Sequence, residues 1–204
     1  MEKLGEAFYQ RKDVVKIARE LLGKLLVTRF GGHQTTGRIV EVEAYNGVVD
    51  KAAHSYGGRR TKRTEVMYGG GGLAYVYLIY GIHHLFNVVT NLQDVPHAIL
   101  IRGIEPVEGI DTMLHRMKKE RPDHTVGRGP GNVSKALGIH TSHTGMSLLG
   151  DTIFIASDGM KVSPSRIAAS PRIGVDYAEE DALLAYRFYI KGNPYVSGKN
   201  NLKN

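Results

Sequence analysis

The sequence predicts an α+β fold in which a single mixed domain has a largely antiparallel β-sheet core, flanking helices and a protruding β-hairpin. Three observations lead to this prediction. Short β-branched runs separated by turn residues recur along the chain, two apolar patterns have the helical period, and no repeat or long linker divides the 204 residues. A chain of this length suits one domain, so residues 1–204 are expected to form one unit with a frayed Lys/Asn-rich tail, 198–204.

A helix followed by a β-hairpin is predicted near the start of the chain. Asp13 can cap a helix that ends at Gly23, because apolar residues between them recur at helical spacing. The apolar run 25–30 predicts a strand, and the glycine pair after it predicts a turn that leads into a second strand, 37–45. Strands joined by so short a turn pair in an antiparallel manner.

The second of these strands is unusual because it carries two carboxylates within a β-branched run. Side chains alternate along a strand, which places four residues on one face: Ile39, Glu41, Glu43 and Tyr45. Two interpretations stay open, a solvated pair of glutamates on an exposed face or a catalytic carboxylate at the strand end. His54 follows in a polar, glycine-flanked loop, the kind of segment where catalytic groups concentrate.

The loop 54–72 is long enough to be functional. It carries four basic side chains that could meet phosphates, or could simply be solvated: Arg59, Arg60, Lys62 and Arg63. Its glycine run matches neither a Gly-x-Gly-x-x-Gly nor a Gly-Lys-Ser pattern, which argues against a nucleotide cofactor.

The segment 73–90 predicts a hairpin centred on Gly81. Tyr80 would then lie at the tip beside Ile82 and His83, which is unusual for bulky side chains. The tyrosines of the first arm fit core positions equally well. Asn87 lies in an apolar arm, where a buried amide must find partners or cost roughly 1–3 kcal/mol.

The second half of the chain predicts further strands and two helices. The run 98–104 predicts a strand with Arg102 as its one charge, and Pro106 is expected to open a helix. The core-facing stripe of that helix is expected to comprise Ile110, Met113, Leu114 and Met117. A polar loop, 128–132, precedes a short helix, 133–138, whose backbone N–H groups could hold a phosphate. The remaining predicted strands are 152–156, 167–169 and 187–190.

Composition narrows the possible chemistry. The formal charge of +7 (27 − 20) and the pI near 9.5 fit a polyanionic partner such as nucleic acid. The absence of cysteine excludes disulfides, thiolate metal sites and cysteine nucleophiles. Only His140 and His143 share a helical spacing, with no carboxylate beside them, so no metal is expected. No Gly-x-Ser-x-Gly elbow, signal peptide or membrane span is found, and a soluble, cytoplasmic protein is expected.

Several motifs at matched spacing resemble one enzyme family. They follow one another along most of the chain: Arg38 to Gly47, Ala52-Ala53-His54-Ser55, Gly57-Gly58-Arg59, Tyr75 to Gly81 with Asn87, Leu100 to Pro106, Gly129-Pro130-Gly131 with Ser134 to Leu137, Pro171 to Gly174, and Arg187 to Pro194. Any one of them would be weak evidence, but together they make the chain similar to the alkyladenine (3-methyladenine) DNA glycosylase family of bacterial type.

The resemblance implies a monofunctional glycosylase on a single mixed α/β domain with a curved sheet. It would remove alkylated or deaminated purines from double-stranded DNA as a bacterial, cytoplasmic and monomeric enzyme, without a metal or cofactor. The residue that matches the family's water-activating glutamate is Glu43, which also adjoins Tyr45 at the strand end, whereas Glu41 lies deeper. Arg102 matches an arginine beside the catalytic water.

The resemblance also implies which residues bind the base and the DNA. Tyr45, Tyr77 and His54 would form the pocket for the flipped base, and Asn87 would screen out normal guanine. Tyr80 would wedge into the minor groove. Further DNA contacts are expected from Ile82, His83, Arg59 and Lys135.

The sequence departs from the family pattern at two places. Ile82-His83 replaces what is often a methionine followed by an aromatic, and 132–134 replaces what is often Lys-Leu-Thr. These positions bear on lesion preference and on the affinity for DNA.

Two other functions stay open for this chain, a non-catalytic nucleic-acid-binding module and a hydrolase of free purine nucleosides.

Overall fold

One antiparallel sheet forms the frame of the structure, a computed structural model that describes residues 1–198. The described part of the chain contains nine strands: β1 (Glu2–Lys3), β2 (Leu25–Phe30), β3 (His33–Tyr45), β4 (Ala74–Ile79), β5 (His83–Thr90), β6 (His97–Glu108), β7 (Ile153–Ser157), β8 (Ile167–Ser170) and β9 (Arg187–Ile190). Their order in the sheet is β1-β7-β2-β3-β6-β5-β4, with β9 paired to both β3 and β8. The sheet is curved and does not close, which confirms the predicted fold class. The predicted frayed tail lies, after Gly198, outside the described residues.

Four α-helices accompany the sheet within residues 1–198: α1 (Glu6–Tyr9), α2 (Val14–Leu21), α3 (Ile110–Met117) and α4 (Pro130–Leu137). The predicted cap of α2 is confirmed, because the side chain of Asp13 accepts a hydrogen bond from the Lys16 N–H at 2.9 Å. Buried side chains of α2, α3 and α4 join those of the central strands in one hydrophobic core. None of the helices within residues 1–198 is long and apolar enough to cross a membrane.

Both predicted hairpins are confirmed. The turn between β2 and β3 consists of Gly31 and Gly32, both with positive φ, which matches a two-residue turn. The hairpin β4–β5 protrudes, and its connection runs from Tyr80 to Ile82. Tyr80 has φ +52°, a left-handed conformation that residues other than glycine seldom adopt.

Two predicted boundaries were wrong. Pro106 does not open a helix but lies in β6 opposite Gly37, next to an irregularity in the pairing that tolerates its missing N–H. The helix begins at Ile110, after Gly109, whose φ of +71° breaks the strand. The short helix also starts earlier than predicted, at Pro130, so most of the expected polar loop belongs to α4.

Two predicted side-chain placements were also wrong. Ile110 is 38% exposed, whereas the other three members of its stripe are buried. Irregular pairing around Glu41 interrupts the alternation of β3, and Ile39 packs in the main core together with Val40. The glutamates therefore share their face with Tyr45 but not with Ile39.

A buried ion cluster ties β3 to β6, β9 and the C-terminal segment. The carboxylate of Glu41 is fully buried and accepts hydrogen bonds from Arg102 Nε at 3.1 Å and Arg187 Nε at 2.7 Å. It also accepts from the backbone N–H of Ser197 at 2.6 Å and from its hydroxyl at 2.9 Å. Three of these donors converge on Oε1 and one reaches Oε2. Its role in this arrangement is to hold the fold together.

We expect Glu41→Ala to lower the free energy of unfolding by roughly 3–5 kcal/mol, because it leaves two buried guanidinium groups without their shared carboxylate. Urea unfolding followed by circular dichroism measures this loss. Glu120→Ala is the matched control, since Glu120 is exposed at the surface after α3. A loss within about 0.5 kcal/mol, as for an ordinary surface substitution, would contradict the structural role.

Candidate active site

An open cleft of about 610 Å³ lies between the hairpin β4–β5, the start of α4 and the segment 173–177. The sequence-predicted residues that line it are Tyr45, His54, Tyr77, Tyr80, His83 and Arg102. A second, inner compartment of about 30 Å³ adjoins it and is lined by Tyr45, His54, Tyr77 and Asn87, among others. The fold therefore brings together side chains that are far apart in the sequence.

Glu43 lies directly beneath the floor of the cleft. Its Oε2 accepts hydrogen bonds from the Tyr45 hydroxyl at 2.9 Å and from Arg102 Nη1 at 3.3 Å. Its Oε1 accepts one from the backbone N–H of Ile173 at 2.7 Å. All three donors line the cleft, although Glu43 itself is fully buried.

The two glutamates differ in how many of their acceptor positions are used. Glu43 receives three donors from the described residues, and its Oε1 receives only one of them. Glu41 receives four, three of them on Oε1. Glu43 thus has acceptor capacity left, since a carboxylate offers about four acceptor positions.

Arg102 joins the two carboxylates, donating from Nε to Glu41 and from Nη1 to Glu43. Its burial alone would lower the pKa of the guanidinium, but Glu43 and Glu41 raise it above its usual value. Tyr45 is affected in the opposite sense: burial first, and then the charge of Glu43, raise the pKa of its phenol well above the usual range. Tyr45 therefore keeps its proton and donates a hydrogen bond to Glu43.

Aromatic rings surround the inner compartment. His54 stands edge-on to Tyr77 at 4.7 Å between centroids, and its Nδ1 lies 2.8 Å from the Tyr75 hydroxyl. Burial, followed by the charges of Arg63 and Arg59, lowers the pKa of His54 to about 4, so its ring is neutral near neutral pH.

Asn87 lies deeper, with its amide group donating to the backbone carbonyls of Tyr75 at 3.1 Å and Leu85 at 3.2 Å. The expectation that this buried amide has partners is confirmed. Because both amide hydrogens are directed to backbone carbonyls, Asn87 is held rigidly at the inner compartment that it lines.

A C-terminal segment closes the site from the other side, and sequence reasoning assigned it no role. Arg172 is buried and forms a bidentate ion pair with Asp50 at 2.5 and 2.8 Å, and it also donates to the carbonyl of Ala44 at 3.0 Å. This contact fixes the following residue, Ile173, whose N–H bonds to Glu43. Pro171 to Gly174 was among the segments that carry the family resemblance, and this was the only available signal.

The predicted DNA-contacting residues occupy different places. Tyr80 and Ile82 are 85% and 71% exposed at the hairpin tip. His83 lines the cleft and packs against Gly131, where a Cβ would approach its Nδ1 to 2.9 Å. Arg59 is exposed on the long loop, near enough to His54 to influence its pKa. Lys135 lies outside the cleft, on a surface that it shares with Phe30, Arg116, Gly138, His140 and His143.

The described residues contain no group of three or more His, Asp or Glu side chains that could hold a metal ion. The three neighbouring histidines beside α4 do not form such a group. Their rings are in contact, with centroids 4.9 Å apart for His84 and His140, and two of their Nδ1 atoms accept backbone N–H hydrogen bonds.

Known proteins resemble this chain over nearly its whole length. Residues 7–194 match the family model for methylpurine-DNA glycosylase (MPG). Three relatives carry names that assign them provisionally as 3-methyladenine DNA glycosylases. They come from Desulfitobacterium hafniense (45% identical, 98% of this chain and 100% of the relative), Bacillus cereus (49%, 95% and 98%) and Clostridium acetobutylicum (46%, 96% and 97%). The chain belongs to the methylpurine-DNA glycosylase family.

Proposed function

We propose that this protein is a monofunctional DNA glycosylase that hydrolyses the N-glycosidic bond of alkylated or deaminated purines, including 3-methyladenine and hypoxanthine, in double-stranded DNA. Family membership supports the reaction class. One structural observation supports the mechanism most strongly: Glu43 is held by three residues of the cleft floor and keeps an acceptor position on Oε1. In this proposal the enzyme acts as a monomer and initiates base excision repair.

Glu43 acts as the general base. A water molecule bound at Oε1 gives up a proton to the carboxylate as its oxygen bonds to the sugar C1′, and the electrons of the broken C1′–N bond leave with the base. Arg102 and Tyr45 donate to Oε2, which holds the carboxylate in place and leaves Oε1 for the water. A general base contributes typically ~10²–10⁴-fold, so positioning and an activated leaving group supply the rest.

The damaged base binds outside the duplex between aromatic rings. Tyr45, Tyr77 and His54 line both the cleft and the inner compartment, and they offer π-faces for stacking. Flipping costs a few kcal/mol and least for a damaged or mismatched base, which contributes to selectivity. Asn87, fixed at the inner compartment, stands where it can exclude the exocyclic amino group of normal guanine.

Tyr80 fills the gap that the extruded nucleotide leaves in the duplex. It stands almost entirely in solvent at the tip of a hairpin that borders the cleft, where no intramolecular packing accounts for a large aromatic ring. Proteins that kink DNA from the minor groove insert such side chains between base steps. Ile82 and His83 follow on the same tip, and Arg59 and Lys135 provide charge for phosphates farther out.

Release of free base tests the function. Wild-type enzyme should release hypoxanthine or 3-methyladenine from a lesion-containing duplex but not from the matching nucleoside, because the nucleoside lacks the phosphates and the gap that Tyr80 fills. Glu43→Gln should abolish release and keep affinity for the lesion duplex, since it removes the proton acceptor and preserves the shape. Chromatography of released base and gel-shift binding measure the two quantities.

Three outcomes would contradict this proposal. Equal turnover of nucleosides would identify a nucleoside hydrolase, and tight binding without release by the wild type would identify a binding module. Substantial turnover by Glu43→Gln would remove the proposed role of Glu43 as the base.

Mutations should distinguish the role of the hairpin tip in excision from that of the base pocket. Tyr80→Ala should lower excision from duplex DNA and leave the melting temperature nearly unchanged, because the side chain is exposed. Tyr77→Ala should also impair excision from single-stranded oligomers, where no gap needs filling. The measurement compares one lesion in both contexts for both variants. Equal losses on both substrates, with a large drop in the melting temperature of Tyr80→Ala, would show that Tyr80 is a core residue.

A further inference from the structure

Arg63 stands at the mouth of the inner compartment. Its guanidinium lies over the ring of Tyr77, 4.9 Å from the centroid, and its Nη2 is 3.4 Å from Nε2 of His54. It lines the outer cleft, whereas Tyr77 and His54 line both cavities. A cation thus covers the rings between which a base would stack.

This position is not explained by an ion pair. The neighbouring Arg60 is held by Glu65 and Asp94, at 2.7 and 2.8 Å, and lies over a different ring, that of Tyr68. Arg63 has no carboxylate partner within residues 1–198, and its side chain is exposed. The attraction between its charge and an aromatic face is weak at an exposed site, so this contact can be broken.

The inner compartment is closed to a base in this arrangement. Its free volume of about 30 Å³ has room for only about two water molecules. A two-ring purine can enter only if the side chains at the mouth move. Arg63 is the long, flexible and exposed member of that group, whereas His54 is held by the hydroxyl of Tyr75.

We propose that Arg63 is a specificity-determining gate, which competes with the incoming base for the face of Tyr77 and disfavours cationic bases relative to neutral ones. This inference rests on the proposed binding of the base at Tyr77 and His54. A base of either kind must displace the guanidinium. Because the displaced side chain stays attached to the loop beside the compartment, its charge continues to repel a cationic base.

Removal of Arg63 should therefore affect the two kinds of base unequally. In Arg63→Gln, a neutral base, such as hypoxanthine, no longer has to displace the guanidinium, and nothing else changes for it. A cationic base, such as 3-methyladenine in DNA, no longer has to displace the guanidinium and is also freed from its like-charge repulsion. The like-charge part corresponds to roughly five-fold for unit charges about 4 Å apart in water.

The test compares single-turnover excision of 3-methyladenine and of hypoxanthine from duplexes of the same sequence by wild type, Arg63→Gln and Lys62→Gln. Lys62 is the matched control, because it is an exposed cation on the same loop for which no ring contact is found. The ratio of the excision rate of the cationic lesion to that of the neutral lesion should rise about five-fold in Arg63→Gln. It should stay near the wild-type value in Lys62→Gln.

A second measurement needs no catalysis. Titration of the His54 ring by NMR in the DNA-free protein should give a pKa that rises from about 4 in Arg63→Gln, because a nearby positive charge is removed. Lys62→Gln should leave it almost unchanged.

The outcomes separate this inference from the proposed function. If the wild type excises both lesions and the ratio is unchanged in Arg63→Gln, or changes equally in Lys62→Gln, the gate is wrong and the glycosylase remains. If the wild type excises neither lesion, the proposed function fails, and the gate fails with it as a determinant of specificity. An unchanged titration of His54 would overturn the contact itself.

Discussion

The structure depends on one arginine shared by two buried carboxylates. Glu41 and Glu43 lie two residues apart on β3, and two negative charges so close together and out of water require a cation between them. Arg102, on the neighbouring strand β6, donates to both. The remaining donors are distributed unequally, with three more for Glu41 and two more for Glu43. The same cluster ties strands of the sheet together and holds Glu43 beneath the cleft.

The C-terminal quarter of the chain completes this arrangement. Arg187 and Ser197 supply donors to Glu41, and the N–H of Ile173 supplies one to Glu43. The buried pair of Arg172 and Asp50 holds that segment against the end of β3. Formation of the site is therefore coupled to completion of the fold, since residues more than a hundred positions apart must meet before the carboxylates are positioned.

Local patterns predicted the fold well, and non-local contacts escaped prediction. The cap at Asp13 and the two hairpins follow from neighbouring residues, so sequence alone was sufficient. Pro106 was misassigned because its tolerance inside β6 depends on an irregular pairing with a distant strand. Periodicity could not rank Glu41 against Glu43, because the donors that distinguish them come from β9 and the C-terminal segment. Motif resemblance identified residues that the structure brings together at the cleft, but no pattern indicated that Arg63 would cover Tyr77.

In the proposed mechanism, the carboxylate of Glu43 activates the water. Chemical rescue tests this mechanism most directly, with Glu43→Ala assayed on a lesion duplex at increasing formate concentration. Formate, occupying the space of the missing carboxylate, should restore base release in Glu43→Ala. Glu43→Gln, in which an amide fills that space, should show no rescue. Folded Glu43→Ala that binds the duplex and stays inactive at all formate concentrations, or equal stimulation of both variants, would contradict the claim.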